Sequence, residues 1–407
     1  MRVGTLQKIR MYIVPLGIIV GLGYLNFALN YSLGYQEIYN HHSHGVAITL
    51  WCLSGFCQVL LFIYWALILY VGPGRSPQFP LLDIYQVGDK DLLPLPDVFF
   101  CDEFGFPFYD SKSQSLRIER SFYSKYVGYN VLKFDHFCLW IGSSIGLTNY
   151  LYFMKFCIWF MSFFIIMLIY ISRYTRSSID RGGEINHNFI LLYIMSGFWI
   201  LCISALFIAH VGYVCRNVTT LDEISIKQKA RYERWRSRQK SHKNENENEN
   251  ENEGASGSKS FNCLAQKMPR KEEGKRYVNV KRDNLRLVVE YDVSVRPFNM
   301  GWKRNWINLV LNGNRTQGRD EGDYTTARFI EAMAVLLLPF AELPFELRRR
   351  RAILDLENLP SGMERTVAEF KYYSSEVSPE FLQVIEDKIN RRDCYIPSYF
   401  AAKNGLA

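Results

Sequence analysis

Apolar residues in this chain fall in long runs, and the runs lie in its first half. Met11 to Leu29 is apolar with Asn26 as its one strongly polar member, and Arg2, Lys8 and Arg10 precede it. As a helix this run is about 28 Å long, close to a bilayer core. It is longer than the roughly 7–15 apolar residues of a signal peptide, so it predicts a first, uncleaved span. Residues 30–46 read as a short loop. Ala47 to Val71 predicts a second span, ended by Gly72-Pro73-Gly74 because neither residue type continues a helix well. Residues 75–150 form a long polar loop. Leu151 to Ser172 predicts a third span, a short loop with Arg173, Arg176 and Arg181 follows, and a fourth span runs from Asn188 to Gly212.

The tail from Arg216 has a different pattern. Residues 227–243 hold eight Lys or Arg with Tyr232 and Trp235 among them, which predicts a juxtamembrane basic helix near anionic lipid. Asn244 to Glu253 is an Asn-Glu repeat leading into Gly254-Ala255-Ser256-Gly257-Ser258. Such a composition buries too little apolar surface to order itself. Alternation of Val278, Val280, Leu285, Leu287 and Val289 predicts short strands over 277–293. Residues 298–312 read as a turn and an aromatic-rich helix. Arg328 to Phe340, interrupted by Glu331 and Pro339, is too short for a fifth span and predicts a helix at the membrane surface. The rest of the tail reads as polar and helical.

The pattern therefore predicts an all-α polytopic membrane protein, with four transmembrane helices, a cytosolic loop domain and a mixed cytosolic C-terminal tail. The expected divisions are an amino end at 1–10, two spans in 11–74, the loop domain at 75–150 and two spans in 151–215. A basic segment at 216–243, the repeat region at 244–260 and the tail at 261–407 follow.

Composition sharpens this. The 407 residues are 48% hydrophobic and 22% charged, with a net charge of +8. In a membrane protein that excess suggests cytosolic loops and anionic lipid before nucleic acid. The amino end has three basic residues, the first loop none and the long loop seven, which places both ends and the long loop in the cytosol. The Arg residues of the third loop are discordant with this. The nine Cys show no pairing rhythm, and Cys52, Cys57, Cys157 and Cys202 lie in apolar runs, so no disulfide framework is expected. His41, His42 and His44 read as solvated loop residues rather than a metal site. The spans show no strongly ionised interior residue, which argues against a transporter or channel.

Candidate chemistry sits just before the third span, in Phe134-Asp135-His136-Phe137-Cys138-Leu139-Trp140. A carboxylate can orient an imidazole, the imidazole can take a proton from a thiol, and the thiolate is a nucleophile for covalent catalysis. An ordinary loop with a buried Cys and a satisfied His is the competing reading of these letters alone.

In order and spacing the fragments resemble the DHHC protein S-acyltransferases (palmitoyltransferases), and more narrowly their yeast Pfa-type members with a degenerate cysteine-rich domain. Asp135-His136-Phe137-Cys138 is similar to the family's Asp-His-His-Cys. Trp140 matches the Trp two places after the catalytic Cys and is the candidate acyl-CoA contact. Asn149 and Phe153 match the family's Asn and aromatic entering the third span. Thr219-Thr220-Leu221-Asp222 is similar to its Thr-Thr-x-Glu, and Phe298 to Trp306, with Asn305, to its carboxy-terminal aromatic-Asn segment.

Family members hold two structural zinc ions. The eight matching positions here are Asp110, Ser113, Tyr123, Ser124, Val127, Asn130, Phe137 and Ser144, none of them Cys or His, so no zinc is expected. Tyr123, Val127 and Phe137, with Phe122, Tyr126 and Tyr129, are expected to form a small apolar core instead.

The resemblance implies a thioester relay, in which Asp135 orients His136, His136 deprotonates Cys138, and Cys138 carries the acyl group from palmitoyl-CoA to cytosolic cysteines of membrane-proximal proteins. It implies no cofactor, the bilayer as a partner, no nucleic acid, and residence in an endomembrane or the plasma membrane. Arg120, Lys125 and Lys133 read as surface charge before they read as CoA-phosphate contacts. A catalytically inactive scaffold of the same fold is the alternative.

Overall fold

The computed structural model describes residues 5–235, 275–292, 294–312 and 324–403; the Asn-Glu repeat and the end of the basic segment lie outside them. Four elements are long and apolar enough to cross a membrane: Tyr12–Tyr39, His44–Val71, Tyr150–Gly182 and His187–Arg216. This is a multi-pass membrane protein with the predicted all-α membrane part. The chain forms two compact units.

The first unit holds Met1–Pro94, Tyr109–Asn217 and Phe298–Glu376. Its first crossing differs from the expected one. Helix α1 (Thr5–Phe27) continues without a break as a π-helix, Ala28–Tyr39, where a loop from residue 30 was predicted. Two of the polar residues that suggested a loop, Ser32 and Glu37, are buried. Asn188 Nδ2 donates to Ser32 Oγ at 2.7 Å. Buried Glu37 accepts from Arg181 and meets His42 Nε2 at 3.0 Å. Trp51 Nε1 donates to the Asn30 carbonyl at 3.3 Å. Gly34 permits this approach, since a Cβ there would lie 2.4 Å from Trp51 Nε1. His41, His42 and His44 are exposed as expected, and two of them also have partners: His42 pairs with Glu37, and His44 stacks on Tyr39 at 4.0 Å.

Helix α2 (His44–Val71) ends as predicted, at Gly72 with φ +69°. Helix α3 (Tyr150–Gly182) runs ten residues beyond the predicted span, so Arg173, Arg176 and Arg181 are helical rather than loop residues. Arg176 and Asp180 pair one turn apart at 3.1 Å, and Gly183 closes the helix with φ +73°. Helix α4 (His187–Arg216) follows; its N-cap Asn186 accepts from the Asn188 amide at 2.9 Å.

The expectation of spans without ionised interior residues fails at two places. Glu37 is one. The other is Lys155 of α3, fully buried, which is ion-paired with Glu342 and donates to the Leu338 carbonyl at 2.8 Å. Both carboxylates have cationic partners, which is how buried charge is tolerated.

The loop before α3 folds as three short antiparallel hairpins. They are β2 (Tyr109–Asp110) with β3 (Ser115–Leu116), β4 (Phe122–Ser124) with β5 (Tyr129–Val131), and β6 (His136–Cys138) with β7 (Ser143–Ile145). The same unit holds α6 (Trp302–Val310), α7 (Thr326–Leu337), α8 (Leu343–Glu357) and α9 (Met363–Tyr373). Trp306, Ile307, Val335 and Leu336 join the core formed by α2, α3 and α4.

The second unit is built on a three-stranded antiparallel sheet of order β1–β8–β9, from Val98–Cys101, Lys275–Arg282 and Leu285–Asp292. The predicted strands are therefore present. Their two-residue turn has Asp283 at φ +54°, the left-handed conformation such turns require. Val278, Val289 and Tyr291 pack on Phe381 and Ile385 of α10 (Pro379–Asn390). Residues 220–235 form helix α5, so the described part of the basic segment is helical as predicted.

Candidate active site

The β6–β7 hairpin is locally determined. Gly142, with φ +81°, donates its amide to the Cys138 carbonyl at 2.9 Å and turns the chain. Pairing then sets His136 opposite Ile145, Phe137 opposite Ser144 and Cys138 opposite Ser143. Since side chains alternate along a strand, His136 and Cys138 share one face and Phe137 takes the other. Trp65 of α2 donates Nε1 to the Ile141 carbonyl at 3.1 Å, which holds the tip of this hairpin against the helices.

Asp135 is 1% exposed, and its amide donates to the Ile145 carbonyl at 2.9 Å. Its Oδ2 lies 2.7 Å from His136 Nδ1. Cys138, on the same strand face, is near enough to His136 to favour its charged form. Burial works to lower the His136 pKa, but the hydrogen bonds and charges of Asp135 and Cys138 outweigh it and raise the imidazole from 6.5 to about 9. Acid, base and thiol thus stand side by side, with the acid bonded to the base. Cys138 is 7% exposed and belongs to the same core as the α3 residues Phe153, Phe156 and Cys157.

A second histidine lies beside this pair. His210 of α4, 3% exposed, has its ring centre 5.6 Å from that of His136. Its Nδ1 is 2.8 Å from the Tyr150 hydroxyl. It was missed because it lies far along the chain in another helix. The available signal was a lone imidazole in an apolar run, which usually marks function.

Asn149, fully buried, locks the hairpin to the helices. Its Oδ1 accepts from the Gly146 amide at 3.0 Å, and its Nδ2 donates to the Ser144 and Ile68 carbonyls at 2.9 and 3.3 Å. Gly146 has no room for a side chain, since a Cβ would lie 2.5 Å from the Pro73 carbonyl.

Residues 104–227 match the DHHC palmitoyltransferase profile. The palmitoyltransferase PFA5 of Candida albicans is 48% identical over 95% of this chain and 92% of its own length. The chain belongs to the DHHC palmitoyltransferase family. PFA5 of Candida glabrata is 33% identical over 54% of this chain and 63% of its own length, and that of Saccharomyces cerevisiae 27% over 54% and 64%.

Against the family's zinc pattern, seven of the eight positions fall into two groups joined by other means. In one, Asp110 Oδ2 accepts from the Ser113 amide and hydroxyl at 2.9 and 2.5 Å, and Asn130 Nδ2 donates to Ser113 Oγ at 2.8 Å. Tyr123 stands opposite Asn130 in the β4–β5 pair. In the other, buried Ser124 and Ser144 share a hydrogen bond at 3.1 Å, and Phe137, opposite Ser144, stacks on Tyr126 at 3.6 Å. Tyr123, Val127 and Phe137 are only half-buried, while Ser124, Asn130 and Ser144 are buried. The expected apolar core is therefore corrected to buried hydrogen bonds flanked by half-buried rings. These residues do not fit a tetrahedral zinc site, which needs Cys or His at most of its four positions.

Among the described residues, the grouping with three metal-capable side chains is Asp135, His136 and His210, with ligand atoms within 4.8 Å of one another. Nδ1 of each histidine is already engaged, by Asp135 and by Tyr150.

The remaining expected positions have defined places. Trp140 is 55% exposed and packs edge-on to Trp199 of α4 at 5.6 Å. Thr219 and Asp222 form a reciprocal cap at the start of α5, with amide-to-side-chain hydrogen bonds of 3.0 and 3.2 Å; Thr220 is the first residue of that helix. Buried Asn305 accepts from the Met300 amide at 3.1 Å and donates to the Cys215 carbonyl at 2.9 Å and to Asn299 Oδ1 at 2.8 Å. Arg120 and Lys133 both donate to Asn217 Oδ1, at 3.0 and 2.9 Å. They clamp the left-handed residue that ends α4, and so are not plain surface charge.

Proposed function

We propose that the chain transfers a long-chain acyl group from acyl-CoA to protein cysteines through an S-acyl-Cys138 intermediate. The observation that carries this is the 2.7 Å Asp135–His136 hydrogen bond with Cys138 on the same strand face as His136, just before α3. His136 takes the Cys138 proton, the thiolate attacks the thioester carbonyl carbon, and the carbon–sulfur bond to CoA breaks. The proton leaves with the CoA thiol. A substrate cysteine then repeats the exchange, giving its proton to His136 and returning Cys138 as the leaving group. Asp135 keeps Nδ1 of His136 engaged, so that Nε2 faces the thiol.

Palmitoyl-CoA and membrane-proximal proteins with accessible cysteines are the partners this chemistry takes. Trp140 is the candidate contact for the acyl-CoA. Asn149 acts as a positioning residue through its hydrogen bonds to Gly146 and Ser144, whereas Thr219, Thr220, Asp222 and Asn305 are read as structural motifs of the family. Basic-residue counts support both termini and the site lying in the cytosol, in an endomembrane or the plasma membrane.

The test is acyl labelling of purified protein with fresh palmitoyl-CoA. Wild type should carry a label released by neutral hydroxylamine, and Cys138→Ser should lose self-acylation and transfer while remaining folded and inserted. Cys101 is a poor control, being 1% exposed in β1 with its thiol pushed up by burial. Exposed Cys202 of α4 is a better one, and Cys202→Ser should label as wild type does. No label on wild type, or equal label on Cys138→Ser, would favour an inactive scaffold.

A further inference from the structure

The elbow between α7 and α8 is tied to the membrane helices at a definite depth. Tyr64 of α2 accepts from the Phe340 amide at 3.0 Å. Lys155 of α3 binds the Leu338 carbonyl and the buried Glu342 carboxylate. Helix α2 has 28 residues and α3 has 33, so they are about 42 and 50 Å long against a hydrocarbon core of about 30 Å. The two helices therefore outrun that core by about 12 and 20 Å in total. Tyr64 lies about 10 Å from the near end of α2 and Lys155 about 8 Å from that of α3. The elbow is thus held within about 10 Å of the near ends of both helices, in reach of headgroups and acyl chains.

The chemistry at that depth is suited to both. Leu337, Leu338 and Phe340 at the elbow are exposed by 57%, 57% and 41%. Helix α8 then carries Arg348-Arg349-Arg350-Arg351. At 100° per residue, exposed Leu343, Leu347, Arg350 and Leu354 fall on one open face, while Phe345, Arg349 and Ile353 lie on the covered one. Arg349 is used internally, paired with Glu346 at 2.6 Å. Arg350 and Arg351 sit among the exposed leucines, where long basic side chains can reach outward to phosphates while the leucines insert.

We propose that the elbow and the open face of α8 form a seat for anionic phospholipid of the bilayer that the four helices cross. Leu338, Phe340, Leu343 and Leu347 enter the acyl boundary, and Arg350 and Arg351 take the headgroup charge. The seat is separate from the Asp135–His136–Cys138 chemistry and does not depend on it.

The test uses the full chain in nanodiscs of phosphatidylcholine, with and without phosphatidylserine, and a photo-crosslinking benzophenone side chain at position 347. The adduct is identified by mass, so no activity is needed. Lipid adducts are expected, with phosphatidylserine captured at least about fivefold more than in the Arg350→Glu/Arg351→Glu variant, as one basic residue near an anionic surface implies. Both arginines are exposed, so the variant keeps the fold. An adduct to a second copy of the chain, no lipid adduct, or serine-lipid capture unchanged by charge reversal would each overturn the proposal.

Discussion

Asp135→Asn is the sharpest probe of the site, because its effect should depend on pH in a calculable way. The substitution keeps an oxygen 2.7 Å from His136 Nδ1 but removes the charge. In wild type the imidazole is raised from 6.5 to about 9 against the opposing effect of burial. At 1.36 kcal/mol per pKa unit, this is about 3 kcal/mol of preference for the imidazolium in the folded chain. A group raised on folding stabilises the fold fully below its unfolded pKa, and that contribution fades as pH climbs through the folded value. Wild type should therefore lose about 3 kcal/mol from this one group between pH 6.5 and about 9.

In Asp135→Asn most of that slope should vanish, since burial then dominates and only the Cys138 contact still favours the charged ring. The assay is the pH dependence of thermal unfolding in detergent for wild type, Asp135→Asn and His136→Gln, with self-acylation measured on the same samples. Both variants should be flatter than wild type over that window. Self-acylation of Asp135→Asn should be slowed but not abolished, because the imidazole is misoriented rather than removed. An unchanged slope in both variants would show that Asp135 does not set the charge of His136.

Other consequences follow from packing. Lys155→Met should destabilise the chain by about 3–5 kcal/mol by leaving Glu342 buried without its cation, and Lys155→Met/Glu342→Leu should recover most of that; equal losses in chemical denaturation would refute the pairing. Asn305→Ala should cost about 1–3 kcal/mol, because the Met300 amide and Cys215 carbonyl lose their partner; an unchanged melting temperature would make Asn305 dispensable. Elemental analysis of active protein should find no stoichiometric zinc, and Phe137→His should recruit none. Phe137→Ala should remove only the ring pair with Tyr126, about 0.5–1.5 kcal/mol beyond lost area, and one or two zinc per chain would overturn this account.

Much of the architecture was legible in order along the chain. Four apolar runs predicted four crossings, and the 278–289 alternation predicted the β8–β9 hairpin, since burial on one face leaves a local period. The Asp-His-x-Cys letters were legible, but the shared face of His136 and Cys138 was not, because residues 136–138 read as loop and the strand appears only in the fold. What could not be read was which polar groups would find each other. Ser32 and Glu37 looked like loop residues because a polar residue has no partner in a linear pattern, yet packing against Asn188 and Arg181 turns them inward. Lys155 and Glu342 are 187 residues apart and become compatible with burial only as a pair. His210 reaches the active site only through the packing of α3 on α4. The missing zinc ligands were visible as letters, but their replacement by hydrogen bonds among Asp110, Ser113, Asn130, Ser124 and Ser144 was not. Hydrophobic burial leaves a periodic trace in sequence, whereas satisfaction of buried polar groups is settled only when distant elements meet.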